Sequence, residues 1–244
     1  MDRRGFFQSI LITPFLTPLL LASKSSSANY QLHLIDSNPH LFLPQILKEL
    51  KTLGISYSHK FIFHNSHPSG HLLKQALTQH GFLQTQNPDI ADLTFSFSLL
   101  HHKAIPSFTL VRAGKIWDIR SRQLYSVWKE ISCSHQPSSS LTVVSFHKNT
   151  KLPLAGRTIS VYKDGHCVES LSLSKDISKT FQITGGKISI TIEGKKAWVN
   201  ESVCPGKICL HSPPISLAGE RIICAPNHFL LEIQGSRLID TTIG

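Results

Sequence analysis

From residue 30 to residue 132 the apolar positions switch between a two-residue and a 3.6-residue rhythm. Tyr30 to Ile35 alternates as Tyr-Gln-Leu-His-Leu-Ile and predicts a strand. Leu41, Leu43, Ile46, Leu47, Leu50 and Leu53 recur at helical spacing, and Gly54 supplies a C-terminal stop. Ile55 to His64 reads as a second strand. Ser69-Gly70 opens a second helix carrying Leu72, Leu73, Ala76 and Leu77, which stops at Gly81. Leu93 to Leu100 alternates again. Phe108 to Val111 and Lys115 to Ile119 flank Ala113-Gly114, a hairpin turn signal. Arg122 to Ile131, with Leu124, Val127 and Trp128, predicts a closing helix. Strands mixed with helices in this order predict an α/β-type sandwich over residues 29–132.

Cys133 to Ser140 (Cys-Ser-His-Gln-Pro-Ser-Ser-Ser) has no apolar period and reads as a linker, 133–140. Beyond it the chain becomes almost all β. Leu141 to Phe146, Thr158 to Tyr162, Val168 to Leu173, Lys187 to Ile192, Ala197 to Val199, Arg221 to Cys224 and Phe229 to Ile233 are short apolar runs rich in β-branched residues. Lys163-Asp164-Gly165, Gly185-Gly186, Glu193-Gly194 and Pro226-Asn227 separate them as turn signals. Residues 141–236 are therefore expected to form a small all-β barrel or sandwich, followed by a tail at 237–244. The fold class expected for the whole chain is α+β.

The first 28 residues follow another logic. Arg3-Arg4 precede Phe6-Phe7, an apolar run spans Ile10 to Ala22, and a polar stretch ends in small residues at Ala28. Basic, then apolar, then small is the order of a cleaved targeting segment, and the apolar run is short of the roughly 20 residues a bilayer requires. The Arg3-Arg4 pair with Phe6 and Phe7 resembles the signal read by the bacterial twin-arginine translocase, which implies that translocase as a partner during export, cleavage after Ala28 and a periplasmic destination. Such substrates usually cross the membrane folded, often with a cofactor or partner aboard. Membrane association is expected only if the segment is uncleaved. Its removal takes away Arg3, Arg4, Lys24 and Asp2, lowering the formal charge from +10 to +8. The remaining basic residues are scattered, with no run of five or six, which argues against a nucleic-acid surface.

Four segments in one order carry a second resemblance: Asp164-Gly165, Ile188-Ser-Ile-Thr-Ile-Glu-Gly194, Cys204-Pro-Gly-Lys-Ile-Cys209 and Ile222-Ile-Cys224-Ala-Pro226-Asn227, closed by the strand Phe229 to Ile233. Residues 150–235 resemble the NusG domain II family, a β-rich module. The resemblance implies that module's fold but no transcriptional role, since nothing here is similar to the elongation domains of NusG. One departure is His211-Ser-Pro-Pro214, where the family often has glycine soon after the second cysteine.

Of five cysteines, Cys204, Cys209 and Cys224 fall in this module, and Cys133 and Cys167 do not match it. An exported small β domain gains from a disulfide; closing the loop to Cys224 contributes about 3 kcal/mol in the chain-entropy account. The alternatives are a redox-active thiol pair, or a metal or iron–sulfur site completed by Cys167, His211 or His228. His64, His67 and His71 form a second, weaker metal-ligand group without a carboxylate to orient the rings. No Gly-x-Ser-x-Gly elbow, phosphate loop or close pair of acids selects a catalytic site. The sequence thus points to an exported, non-catalytic binding or accessory protein with an unknown protein or small-molecule partner. A redox or metal carrier using the cysteine trio and an enzyme with an interdomain cleft are the alternatives.

Overall fold

The computed structural model describes residues 30–117, 122–133, 136–146 and 155–235. The export segment with Arg3, Arg4, Phe6, Phe7 and Ala28, and the tail 237–244, lie outside the described residues. Among the described residues no helix is long and apolar enough to cross a membrane.

The first region is a seven-stranded sheet covered on one face by helices. Its strands are β1 (Tyr30–Ile35), β2 (Lys60–Phe63), β3 (Leu83–Gln84), β4 (Leu93–Ala104), β5 (Ser107–Arg112), β6 (Lys115–Trp117) and β7 (Ser138–Phe146), in the order β3-β2-β4-β7-β1-β5-β6. β2 runs parallel to β3 and β4, and the other neighbours are antiparallel. The helices are α1 (Pro39–Thr52), α2 (Gly70–Gln79) and α3 (Arg122–Ser132). Alternation aims Leu32, Leu34, Phe61, Phe95, Phe108, Leu110 and Val144 at one face, where they meet Leu43, Ile46, Leu47 and Leu50 of α1, Leu73 and Leu77 of α2, and Leu124, Val127 and Ile131 of α3. Full burial of each large side chain contributes about 1.5–3 kcal/mol, which is why this face carries the core. At the β5–β6 turn Ala113 and Gly114 both have positive φ, 46° and 78°, the backbone that a two-residue hairpin demands.

The second region is a sandwich of two open sheets. One contains β8 (Gly156–Lys163), β9 (His166–Ser172), β13 (Arg221–Cys224) and β14 (Phe229–Gly235) in the order β13-β14-β8-β9. The other contains β10 (Ile177–Ile183), β11 (Gly186–Glu193) and β12 (Lys196–Ser202) in sequence order. Ile188, Ile190 and Ile192 of β11 face Ile159, Val161, Leu231 and Ile233 of the first sheet across a shared core. None of these sheets closes, so the barrel form expected as one option gives way to the sandwich.

One strand differs from its expected place. Leu141 to Phe146 read as the opening strand of the β module, yet β7 lies inside the seven-stranded sheet, hydrogen-bonded to β1 on one side and β4 on the other. Ser138 to Ser140, read as linker, belong to the same strand. The reason is two-sided burial: Val144 and Phe146 enter the helix-covered core while Leu141 joins Ile35, Leu100 and Ala104 on the opposite face. That opposite face, with Gln31, His33 and Ile35 from β1, receives the module. Gln31 Nε2 donates to Ser145 Oγ (3.1 Å) and to the Gly219 carbonyl (2.9 Å). The Tyr162 ring packs over Gly114 so closely that an added Cβ would lie 2.6 Å from it. The result is three layers: helices, sheet, β sandwich.

Candidate functional site

The Cys204-Pro205-Gly206-Lys207 segment turns tightly after β12. Lys207 N–H closes on the Cys204 carbonyl at 3.2 Å, and Lys207 takes a left-handed backbone (φ 49°). One short turn of helix follows, α4 (Ile208–His211), with Cys209 on its buried side. Cys224 is the last residue of β13, immediately before the 3₁₀ turn Ala225–Asn227. These three elements bring the Cys204, Cys209 and Cys224 sulfurs within 4.8 Å of one another, all buried. All five cysteines are free thiols, and Cys133 and Cys167 are exposed.

Hydrogen bonds tie the trio to its surroundings. Asn227 Nδ2 donates to the Cys224 sulfur at 3.2 Å. Ser202 Oγ sits between the other two, accepting from the Cys204 N–H (3.2 Å) and the Cys209 thiol (3.4 Å). The three thiols differ in acidity. The Cys224 thiol donates to Cys209, which holds Cys209 below the usual thiol range. That donation, together with burial, pushes Cys224 well up, and burial with the neighbouring Cys224 raises Cys204. Cys209 is therefore the first of the three to ionise.

The trio forms one wall of a cleft of about 80 Å³ between the module and the seven-stranded sheet. His33, Ser107 and Thr109 line its other wall, and Arg221 stands beside them. The Arg221 side chain is 4% exposed, bonded through Nη2 to Glu232, while its Nε and Nη1 are buried without a partner among the described residues. Burial, with the adjacent Arg221 charge, drives His33 down to about 3. The ring is held neutral, with Nε2 donating to Gln31 Oε1 at 3.2 Å. Because the unfolded chain takes up this proton near pH 6.5 and the folded chain resists it, His33 contributes stability above that pH and loses it as pH falls toward 3. The ring borders the cleft and is only half-buried, so between pH 7 and 4.5 wild type should lose about 2 kcal/mol more than His33→Gln, measured by urea unfolding at each pH. Parallel curves for the two proteins would contradict this.

The expected histidine group is not assembled. His64 and His71 are exposed, and among the described residues only the cysteine trio brings three metal-binding groups together. His67 has structural partners instead. Its Nδ1 accepts from the Ser69 backbone N–H (3.0 Å), so Nε2 carries the proton and donates to Ser140 Oγ (2.8 Å). That tautomer faces Ser140 with a proton rather than a lone pair, the reverse of what a general base needs. Cys167, His211 and His228 do not join the trio either. His211 packs against His102, ring centroids 4.4 Å apart. Sequence reading missed Arg221, His33 and Gln31, whose roles depend on how strands from the two regions face one another. One signal was present: Arg221 and Glu232 are opposite charges on strands joined by a short turn, and the register sets them directly opposite.

Residues 138–237 match the NusG domain II family. Solved structures are similar over about a third of the chain. A DUF1312 family protein from Ruminococcus gnavus is 34% identical; the match covers 32% of this chain and 99% of that one, with a TM-score of 0.29. The Lin0431 protein from Listeria innocua is 19% identical, covering 34% of this chain and 99% of its own, TM-score 0.31. A DUF1312 family protein from Enterococcus faecalis is 19% identical, covering 33% and 98%, TM-score 0.31. No curated protein matches. The C-terminal part of the chain, with Cys204, Cys209 and Cys224 in the matched segment, belongs to the NusG domain II family.

Proposed function

We propose that this chain is an exported, periplasmic accessory protein that binds a partner or small ligand at the cleft between its α/β layers and its NusG domain II module, without catalysing a reaction. The observation that carries this reading is the cleft itself. Its walls come from separate regions of the chain, and its one concentration of reactive side chains is the cysteine trio. The twin-arginine-type segment supports the destination. In an oxidising compartment an unloaded trio, its sulfurs all within 4.8 Å of one another, closes one disulfide and leaves one thiol over.

The test is the intact mass of protein recovered after export from its own signal. The expected product begins after Ala28, is lighter by two hydrogens than the fully reduced chain, and regains them on reduction. A product retaining residues 1–28 would overturn cleavage, and one recovered only from the cytoplasm would overturn the export reading. Fully free thiols in metal-free exported protein would overturn the staple.

A further inference from the structure

A disulfide explains two cysteines; this site has three, and it buries them alike. Cys204, Cys209 and Cys224 are 3%, 1% and 1% exposed, and their sulfurs meet within 4.8 Å. A staple would require only two of them and would leave the third without a role. Asn227 Nδ2 donates to the Cys224 sulfur at 3.2 Å, and the Cys209 thiol is anchored on Ser202 Oγ at 3.4 Å. Asn227 is itself buried (8% exposed) and spends its Nδ2 on Cys224. Hydrogen bonds of this kind offset negative charge on sulfur and tune bound ions in thiolate sites.

The surroundings restrict what such a site would hold. No histidine, aspartate or glutamate joins the three sulfurs among the described residues, so the donor set is sulfur alone. Sulfur donors select thiophilic ions and disfavour magnesium, calcium and manganese. One side of the trio faces the cleft, which leaves a fourth position open to water or to a ligand rather than closing the shell with protein. A closed structural zinc site would supply four protein ligands; an ion held by three is more readily exchanged.

We infer that Cys204, Cys209 and Cys224 form a three-thiolate site for a thiophilic d¹⁰ cation, open toward the cleft, with Cu(I) in three-coordination as the leading occupant and Zn(II) completed by a cleft water as the other member of the class. Binding forms three metal–sulfur bonds and releases three protons to solvent; no electrons move. This deepens the binding role assigned to the cleft, and it specifies the ligand. An ion and the proposed disulfide compete for the same sulfurs, so an ion loaded before export would keep the trio reduced.

The experiment uses the full chain, reduced under anaerobic conditions and titrated with Cu(I) or Zn(II) against a chromophoric chelator. X-ray absorption of the loaded wild type gives the ligand set without any substitution. One ion per chain bound to three sulfurs supports the inference, and whether a fourth oxygen is present separates zinc with water from three-coordinate copper. Cys204→Ser, Cys209→Ser and Cys224→Ser should each weaken binding at least 100-fold while circular dichroism stays that of the wild type. If a variant does not fold, the wild-type ligand count still decides. No uptake by the reduced chain, fewer than three sulfurs, or a histidine nitrogen in the shell would overturn the inference. None of those results bears on whether the protein is exported and cleaved.

Discussion

Glu232→Ala is expected to destabilise the protein by about 3–5 kcal/mol, because it strips a buried guanidinium of its counter-ion. Arg221 sits at the junction of the layers with a side chain 4% exposed, and Glu232, 13% exposed, is its acidic partner among the described residues. Among the described residues the remaining donors, Nε and Nη1, already lack partners. Without the carboxylate, the charge faces half-buried His33, which cannot accept a negative role, and the low-dielectric edge of the cleft. Glu232→Gln should cost less, since an amide oxygen still accepts from Nη2. Arg221→Met combined with Glu232→Leu should recover most of the stability lost in Glu232→Ala, as buried ion pairs are often replaceable by apolar groups at little net cost. Urea unfolding of the three variants measures the series. A Glu232→Ala protein within 1 kcal/mol of wild type would show that the guanidinium reaches solvent or another acceptor.

Gly156→Ala carries the second large effect. Gly156 opens β8, and its N–H donates to the Ser216 carbonyl at 2.9 Å. A methyl group there would lie 2.1 Å from Ile233 Cγ2, 2.7 Å from the Ser216 carbonyl oxygen and 2.9 Å from Leu173 Cδ1. Two of these neighbours are core side chains and one is backbone, so relief requires the β8–β14 register to shift. Overpacking of this kind costs about 1–3 kcal/mol, and the backbone clash places this site at the upper end. Ile233→Ala opens space for the methyl, so the double variant should be more stable than the sum of the two single losses predicts, by about 1 kcal/mol. Additive losses would mean that the Ser216 carbonyl, not Ile233, sets the cost.

The elements most legible in the sequence were those with strong local rhythm. β1 was expected over Tyr30 to Ile35 and lies there, and α1 and α2 end beside Gly54 and Gly81 as the glycine stops imply. β2 is shorter than expected because Ile55 and Tyr57 bond back to α1 instead of to a strand, the Ile55 N–H donating to the Leu50 carbonyl and the Tyr57 hydroxyl to the Leu47 carbonyl. β10 was missed: Ser178, Lys179, Thr180 and Gln182 leave only Ile177, Phe181 and Ile183 as apolar positions, which is what an edge strand with a solvent face allows. α4 is too short to have a period. The cysteine trio could be named from sequence because all three residues lie in a recognisable order. Their convergence, their donors and the cleft could not, since these depend on how a turn, a one-turn helix and a strand end meet.

The position of β7 sets where this protein can be divided. A fragment starting at residue 138, where the family match begins, would retain Ser138–Phe146 but leave behind β1 and β4, the two strands that flank it. It would carry an unpartnered apolar ribbon with both backbone edges bare, a template for self-association. The portion left behind would have a slot in the middle of its sheet. A cut between residues 146 and 155 keeps every strand with its neighbours on either side, so the module's evolutionary boundary and its mechanical one are not the same place.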